Sequence, residues 1–175
     1  MIRFATLAAA AVVALALPAA ASAPPAPVQA TADPGVSPEA VRAWLVSKGG
    51  VVSEVRREDG YNWISIDDND LNWVVYFYDC RGGACGAVQY SASFSNPTIT
   101  QTMVNDWNRD HRFLKAHFLP GEAGADQTAV AQYDVVVHSG EVDQLADHTA
   151  LWLDVIGEFG AAVGYFAPAD QPAPR

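Results

Sequence analysis

The chain has 175 residues, which is about the length of one domain. Half of its residues are apolar, and five Trp, six Tyr and seven Phe supply enough bulk for a packed core, which excludes a disordered chain. Twenty acidic residues against ten basic ones give a net charge of −10 and an isoelectric point near 4.5. Such a charge repels phosphate backbones, so nucleic acid is excluded as a partner.

Residues 1–23 have the pattern of a secretory signal peptide. Arg3 provides the positive start, and the apolar run from Phe4 to Leu17 is too short to span a bilayer. Small residues then favour cleavage near Ala21 or Ala23. We therefore expect an exported protein, periplasmic or secreted, whose mature chain has no transmembrane segment. The alternative is an uncleaved N-terminal anchor.

Proline-rich segments flank the predicted domain. Residues 24–36 are rich in Pro and Ala and have the composition of a linker. Residues 167–175 repeat this composition and are predicted to form a disordered tail. The folded unit is therefore expected at residues 37–166.

The folded unit begins with a helix and continues with extended runs. Ser37-Pro38-Glu39 is typical of a helix start, and Gly49-Gly50 of a helix end. Short turn-forming segments separate the next four runs, so these strands are predicted to be antiparallel neighbours. The predicted strands are Val51–Arg57, Tyr61–Asp67, Leu71–Asp79 and Gly86–Phe94.

After Pro97 the apolar spacing changes to a helical period. The later elements are predicted to be a helix over Thr100–Lys115, a hairpin of Phe113–Leu119 and Thr128–His138, and a helix over Val142–Val163 with a continuous apolar stripe. The order is therefore α-β-β-β-β-α-β-β-α. It predicts an α+β fold in which helices pack on an antiparallel β-sheet.

Cys80 and Cys85 are the only cysteines of the chain, and Gly82-Gly83 lies between them. In an oxidising compartment, two thiols that flank a hairpin loop predict a disulfide. A metal site or a redox pair is the alternative, but no second cysteine pair completes a zinc site and the spacing differs from that of redox dithiols. No phosphate-binding, dinucleotide-binding or HExxH motif is present, so neither a cofactor nor a metal is expected.

Two further features indicate functional positions. Asn105 and Asn108 lie one turn apart in the second helix beside Trp107, although Asn is unfavourable within a helix. Their amides are predicted to bind neighbouring loops, with ligand binding as the alternative. In the strand Leu71–Asp79, Trp73 and Tyr76 lie on opposite faces, and both faces are apolar or aromatic. The second face indicates a partner surface, while coverage by helices or by a second subunit explains it equally well.

With these residues the chain resembles the YbjN-domain family. The resemblance rests on Asn105-Asp106-Trp107-Asn108 with Arg112-Phe113, on the strand and cysteine pair from Trp73 to Cys85, on the strand Gly86–Phe94, and on a final apolar helix containing Trp152. It implies a curved antiparallel sheet with helices, similar to type III secretion chaperones, and a domain able to dimerise. It also implies a sensory transduction regulator without established enzymatic activity. No catalytic residues come with the family, and the predicted signal peptide departs from cytoplasmic secretion chaperones.

The sequence therefore favours a non-enzymatic exported domain that binds a protein or peptide partner in a chaperone-like or regulatory role. The alternative is a small-molecule sensor or enzyme whose pocket lies between the sheet and the second helix, lined by Asn105, Trp107 and Asn108. A purely structural role in the cell envelope is a third hypothesis, since an acidic exported domain needs only to stay dissolved.

Overall fold

The computed structural model describes residues 35–68 and 71–166. The predicted signal peptide, residues 24–34 of the predicted linker, residues 69 and 70 and the predicted tail lie outside these ranges. The elements in chain order are α1 (Pro38–Ser47), β1 (Val51–Val52), β2 (Arg56–Glu58), β3 (Tyr61–Asp68), β4 (Leu71–Arg81), β5 (Ala84–Asn96), α2 (Gln101–Asp110), β6 (Lys115–Leu119), β7 (Gln127–Val136), a 3₁₀ turn (Val142–Leu145) and α3 (Ala146–Ala162).

Within the described ranges, seven strands form one antiparallel sheet. The order across the sheet is β1-β3-β4-β5-β7-β6, and β2 also pairs with β3. The long strands β4 and β5 lie in the middle and form a hairpin, as their short connection requires. The predicted α+β fold, with helices packed on an antiparallel sheet, is confirmed.

The first predicted strand is divided in the structure. β1 pairs with the end of β3 and β2 with its beginning, and the residues between them leave the ladder. At the break, Ser53 donates its backbone N–H to the carbonyl of Ser65 at 2.9 Å, while the Ser53 hydroxyl accepts from the Ser65 N–H at 3.0 Å. A side-chain hydrogen bond of this kind competes with regular strand pairing.

The second helix also ends earlier than its apolar spacing predicts. α2 stops at Asp110, because His111 has an extended backbone and Phe113 has a positive φ of 72°. The His111 ring then stacks on Trp107 with a centroid distance of 3.7 Å. The chain therefore turns directly into β6, which begins at Lys115.

The hydrophobic core lies between one face of the sheet and the helices. α3 contributes Trp152, whose ring centroid lies 5.7 Å from that of Tyr90 and 6.3 Å from that of Trp73. Further along the same helix, Phe159 packs edge to face on Phe94 at 5.5 Å. These side chains, together with buried residues of α1 and α2, form a single cluster. Along β4, Trp73 is buried and Tyr76 points to the opposite face, as predicted.

The chain enters this core one residue before the predicted domain start. Val36 is fully buried and exchanges two backbone hydrogen bonds with Cys85, at 3.1 and 2.9 Å. The last residue of the predicted linker thus packs with the folded unit. Among residues 35–68 and 71–166, every helix is too short or too polar to cross a bilayer.

Candidate functional site

The candidate site is the face of the sheet opposite to the helices. Alternating residues of five adjacent strands point to it, because successive side chains of a strand point to opposite faces. We call it the open face. It comprises Tyr61, Trp63, Ser65 and Asp67 of β3, Asn72, Val74, Tyr76 and Tyr78 of β4, Gln89, Ser91 and Ser93 of β5, Val130, Gln132 and Asp134 of β7, and Lys115 and His117 of β6.

Tyr76 lies near the centre of the open face. It is paired in register with Trp63 on one neighbouring strand and with Gln89 on the other. Two hollows on this face have volumes of about 480 and about 380 Å³, and their linings share Tyr76, Ser91 and Ser93. The two hollows therefore adjoin at these residues, and we call them together the open-face groove.

Aromatic rings line one side of the open face. Tyr61, with half of its surface exposed, packs edge to face on Tyr78 at 6.5 Å between centroids. The guanidinium of Arg56 lies over the Trp63 ring at 5.3 Å. Partial burial, and then the neighbouring tyrosines Tyr61 and Tyr76, raise the pKa of the Tyr78 hydroxyl. Tyr and Trp are the residue types that protein interfaces favour.

Hydrogen bonds fix the polar side chains on the other side of the open face. Gln132 donates to Gln89 at 3.1 Å, and Gln89 donates to Asp134 at 2.6 Å. The Lys115 ammonium binds the second oxygen of Asp134 at 2.7 Å. Burial alone would raise the pKa of Asp134, but the hydrogen bonds from Lys115 and Gln89 outweigh it and hold the pKa below its ordinary value. The network links the side chains of Lys115, Asp134, Gln89 and Gln132 across three strands.

Asn108 lies at the edge of the sheet, away from the open-face groove. Its side-chain NH₂ donates to the Ala116 carbonyl at 2.8 Å, and its side-chain oxygen accepts from the Ala116 N–H at 2.9 Å. Ala116 belongs to the edge strand β6, so the amide occupies backbone groups that a neighbouring strand would otherwise pair. This geometry favours the structural interpretation of Asn108.

The other two predicted residues of α2 also lie away from the groove. Trp107 is buried between the His111 ring and Phe159, whose centroid lies 5.1 Å away. Asn105 is exposed on the surface of the helix. Neither these residues nor Asn108 line either hollow of the open face, so Tyr76 is the predicted site residue that the structure places there.

The structure joins Cys80 and Cys85 in a disulfide at the end of the β4–β5 hairpin. The two residues face each other in register, and Asn62 donates to the Cys80 sulfur at 3.4 Å. Cys85 is buried beside Val36, whereas Cys80 is exposed. The bridge therefore closes the hairpin end, and the backbone of Cys85 separately pairs with the segment by which the chain enters the domain.

Reduction of this disulfide is expected to lower the free energy of unfolding by about 2 kcal/mol, the value for closing so short a loop. Denaturant unfolding with and without dithiothreitol measures the difference. The double variant Cys80→Ala, Cys85→Ala serves as the control, because its unfolding should not respond to the reductant. An unchanged transition in the reduced natural protein would contradict the expectation.

Most residues of the open face were missed at the level of sequence. In β5, the residues Ser91 and Ser93 alternate with Tyr90 and Phe94, and this period of two is a signal that could have identified a polar outer face. Tyr61 and Trp63 alternate in the same way around Asn62. The short connections predicted that these strands are neighbours of the strand of Tyr76, and the structure confirms it, but the sequence did not show that β7 and β6 extend the same face beside β5.

Among residues 35–68 and 71–166, no three His, Cys, Asp or Glu side chains are grouped as a metal site requires. The polar groups of the open face include amides, hydroxyls, the imidazole of His117 and the carboxylate of Asp134, which is bound by Lys115. Such groups bind a partner by hydrogen bonds and ring contacts.

Two solved structures are similar to this chain. The crystal structure of YbjN from E. coli, described as "a putative transcription regulator", gives a TM-score of 0.55 at 14% identity, covering 74% of this chain and 95% of that chain. An uncharacterized protein from Methanothermobacter thermautotrophicus gives a TM-score of 0.47 at 10% identity, covering 71% of this chain and 97% of that chain. No functionally curated protein matches the chain.

The sequence itself matches a family. The YbjN profile, described as "Putative bacterial sensory transduction regulator", matches residues 37–164. This range includes every strand, α1, α2 and α3, and the Asn105 to Asn108 motif. The predicted resemblance is confirmed, and the chain belongs to the YbjN family.

Proposed function

We propose that this protein is a non-enzymatic exported module that binds an extended segment of a partner protein in the open-face groove. The observation that carries the proposal is the open face itself, which presents aromatic rings and two adjoining hollows on the side opposite to the helices. An antiparallel sheet with one face in water ordinarily shows polar residues there, so apolar and aromatic side chains on that face favour a binding role.

The face is a better docking surface than the edge of the sheet at β6. Peptides that add to a sheet edge need free backbone groups. Asn108 already binds both backbone groups of Ala116, and the charged side chain of Lys115 stands beside it. Both features oppose strand addition at this edge.

The composition of the face favours a different protein over a second copy of this chain. Interfaces of permanent homodimers are strongly apolar, like a divided core. Here the aromatic side, with Tyr61 and Tyr76, is joined to a hydrogen-bonded polar side formed by Gln89, Gln132 and Asp134. Such a mixture is typical of partners that bind and separate, and a regulator needs such partners.

Two observations favour the proposed export. One is the signal-like pattern of residues 1–23, and the other is the bond between Cys80 and Cys85, since disulfides persist in oxidising compartments. The competing pocket between the sheet and α2 has weaker support, because Trp107 is packed in the core and Asn108 is bound to Ala116.

Replacing Tyr76 with Glu is expected to abolish partner binding, because it places a charge in the middle of the open-face groove. A photocrosslinking amino acid at Tyr61, at the rim of the groove, should capture a protein partner in cells. The Tyr76→Glu variant of the same labelled protein should give at least about tenfold less crosslinked product, which corresponds to about 1.4 kcal/mol of binding energy. The products are separated under denaturing conditions and identified by mass spectrometry.

Two further variants complete this experiment. Ser93→Arg blocks the groove from an exposed position and should give the same loss without disturbing a packed ring. Val46→Glu places the same charge on exposed α1 and should leave capture unchanged. If the only crosslinked product were a second copy of this chain, the open face would be the interface of a homodimer and not a site for a different protein. Equal capture in all three variants would contradict binding at the open face.

A further inference from the structure

The tight corner between α2 and β6 carries an exposed aromatic ring on a strained backbone. Phe113 has a φ of 72°, and the N–H of Leu114 donates to the carbonyl of Arg112 at 2.9 Å, so these three residues form a three-residue turn of the rare, strained kind. The Phe113 side chain is 57% exposed. We call Arg112 and Phe113 together the α2–β6 corner.

Phe is an unusual residue for such a backbone. Gly adopts a positive φ at no steric cost, and Asn and Asp tolerate it. Among the described residues, the other non-glycine residues with a positive φ are Asp59 and Asp79. Core packing does not explain the choice of Phe113, because most of it is exposed, whereas Leu114 beside it is buried. A strained residue that the core does not need is a candidate for a contact with another molecule.

A guanidinium without a carboxylate lies over the same ring. The guanidinium carbon of Arg112 is 4.9 Å from the centroid of Phe113. Within residues 35–68 and 71–166, Arg112 forms no ion pair, although the chain has twice as many acidic as basic residues. Arg109 and Lys115, the nearest Arg and Lys in the sequence, both bind carboxylates. Arg112 is therefore the cation of this segment that remains available to a partner.

The corner lies in a basic segment of an acidic protein. Residues 109–117 contain three of the ten Lys and Arg residues of the chain and two of its four His. Lys115 and His117 of this segment belong to the open face, so the corner lies at the margin of the proposed binding site. Because the net charge of the chain is −10, a carboxylate of a partner is attracted here and repelled by most of the remaining surface.

An aromatic ring beside an unpaired guanidinium suits a particular kind of protein segment. Arg binds a carboxylate through two parallel N–H donors, and protein interfaces favour Arg together with aromatic rings. An anionic membrane is the other surface that an exposed Arg and Phe suit, but the net charge of −10 opposes its approach. The charge of the whole chain therefore favours a protein partner.

We propose that the α2–β6 corner is a second contact for the partner protein of the open-face groove, and that it binds an acidic residue with an apolar neighbour. The partner carboxylate binds the Arg112 guanidinium, and the apolar side chain packs on the Phe113 ring. The proposal rests on the proposed function and adds the chemistry that the partner segment carries.

Benzoylphenylalanine in place of Phe113 tests the contact, because it keeps the phenyl ring and crosslinks what lies against it. In cells it should capture the same protein as the photocrosslinking residue at Tyr61. Mass spectrometry should place the crosslink within a few residues of an Asp or Glu of that protein. A crosslink far from any acidic residue, or to a second copy of this chain alone, would overturn the proposal.

Variants of Arg112 test the charge while the photocrosslinking residue stays at Tyr61. Arg112→Gln should lower capture by about five- to tenfold, the size of a charged contact at an interface. Arg112→Lys should recover part of the capture, because it keeps the charge but not the two parallel donors. The matched control is Arg109→Gln, whose carboxylate partners lie within the chain, and it should leave capture unchanged.

Exchange of the two charges gives the strictest test. Replacing the mapped Asp or Glu of the partner with Arg should abolish capture by the natural chain, and Arg112→Glu should restore it. Unchanged capture from Tyr61 in Arg112→Gln would overturn the corner contact and leave binding at the open face intact. Capture from Phe113 without capture from Tyr61 would instead contradict binding at the open face, and no capture from either position would overturn both.

Phe113→Asn separates binding from folding. Asn tolerates the positive φ and removes the exposed ring, so this variant should unfold at a guanidinium concentration no lower than the natural protein, while capture from Tyr61 falls. A lower midpoint would assign Phe113 to packing and overturn the proposal. Binding of the natural protein to vesicles of phosphatidylethanolamine and phosphatidylglycerol that is lost in Phe113→Asn would identify a membrane as the ligand and would also overturn it.

Discussion

Replacing Trp152 with Ala is expected to lower the free energy of unfolding by about 3 to 5 kcal/mol, the cost of removing a large aromatic ring from a packed core. Trp152 is 1% exposed and joins Trp73 and Tyr90 in one aromatic cluster between α3 and the sheet. Guanidinium unfolding followed by far-ultraviolet circular dichroism measures the loss without depending on tryptophan fluorescence.

The matched control is Trp152→Phe. The indole N–H of Trp152 has no hydrogen-bond partner among the described residues, so Phe removes an unpaired donor while it keeps an aromatic ring. We therefore expect Phe to cost less than half as much as Ala. A similar cost for both variants would show that the shape of the fused indole ring, which Phe does not reproduce, carries the stabilisation, and a loss below about 1 kcal/mol in Trp152→Ala would contradict a core position.

The two faces of β4 could be predicted from its sequence because a strand has a fixed period of two. Trp73 and Tyr76 had to point to opposite sides whatever the rest of the chain did, and the structure confirms this. The open face as a whole could not be predicted, since it also needs the strand order that places β7 and β6 beside β5.

The end of α2 could not be predicted correctly for a different reason. The apolar spacing of α2 continues through His111 and Leu114, so periodicity predicts a helix to Lys115. The structure ends the helix at Asp110 because later interactions are stronger than the local preference. His111 stacks on Trp107, and the reversal of the chain brings Ala116 to the amide of Asn108. Neither contact can be read from a pattern within one segment.

Asn108→Ala is expected to lower the free energy of unfolding by about 2 to 3 kcal/mol, because it leaves both the N–H and the carbonyl of Ala116 without their present partner. The effect should appear first at the edge of the sheet. Hydrogen exchange of the Ala116 amide therefore measures it locally, and denaturant unfolding measures it for the whole domain. Asn108→Asp should also be costly, because a carboxylate cannot donate to the Ala116 carbonyl.

Asn105→Ala provides the comparison within the same helix. Asn105 is exposed one turn earlier, and Ala is the better helix former, so this variant should keep its stability or gain about 0.5 kcal/mol. A large difference between the two Asn variants would identify Asn108 as the residue that attaches α2 to the edge strand β6. If both variants were as stable as the natural protein, the hydrogen bonds to Ala116 would not contribute to stability, and ligand binding would become the better explanation of the two amides.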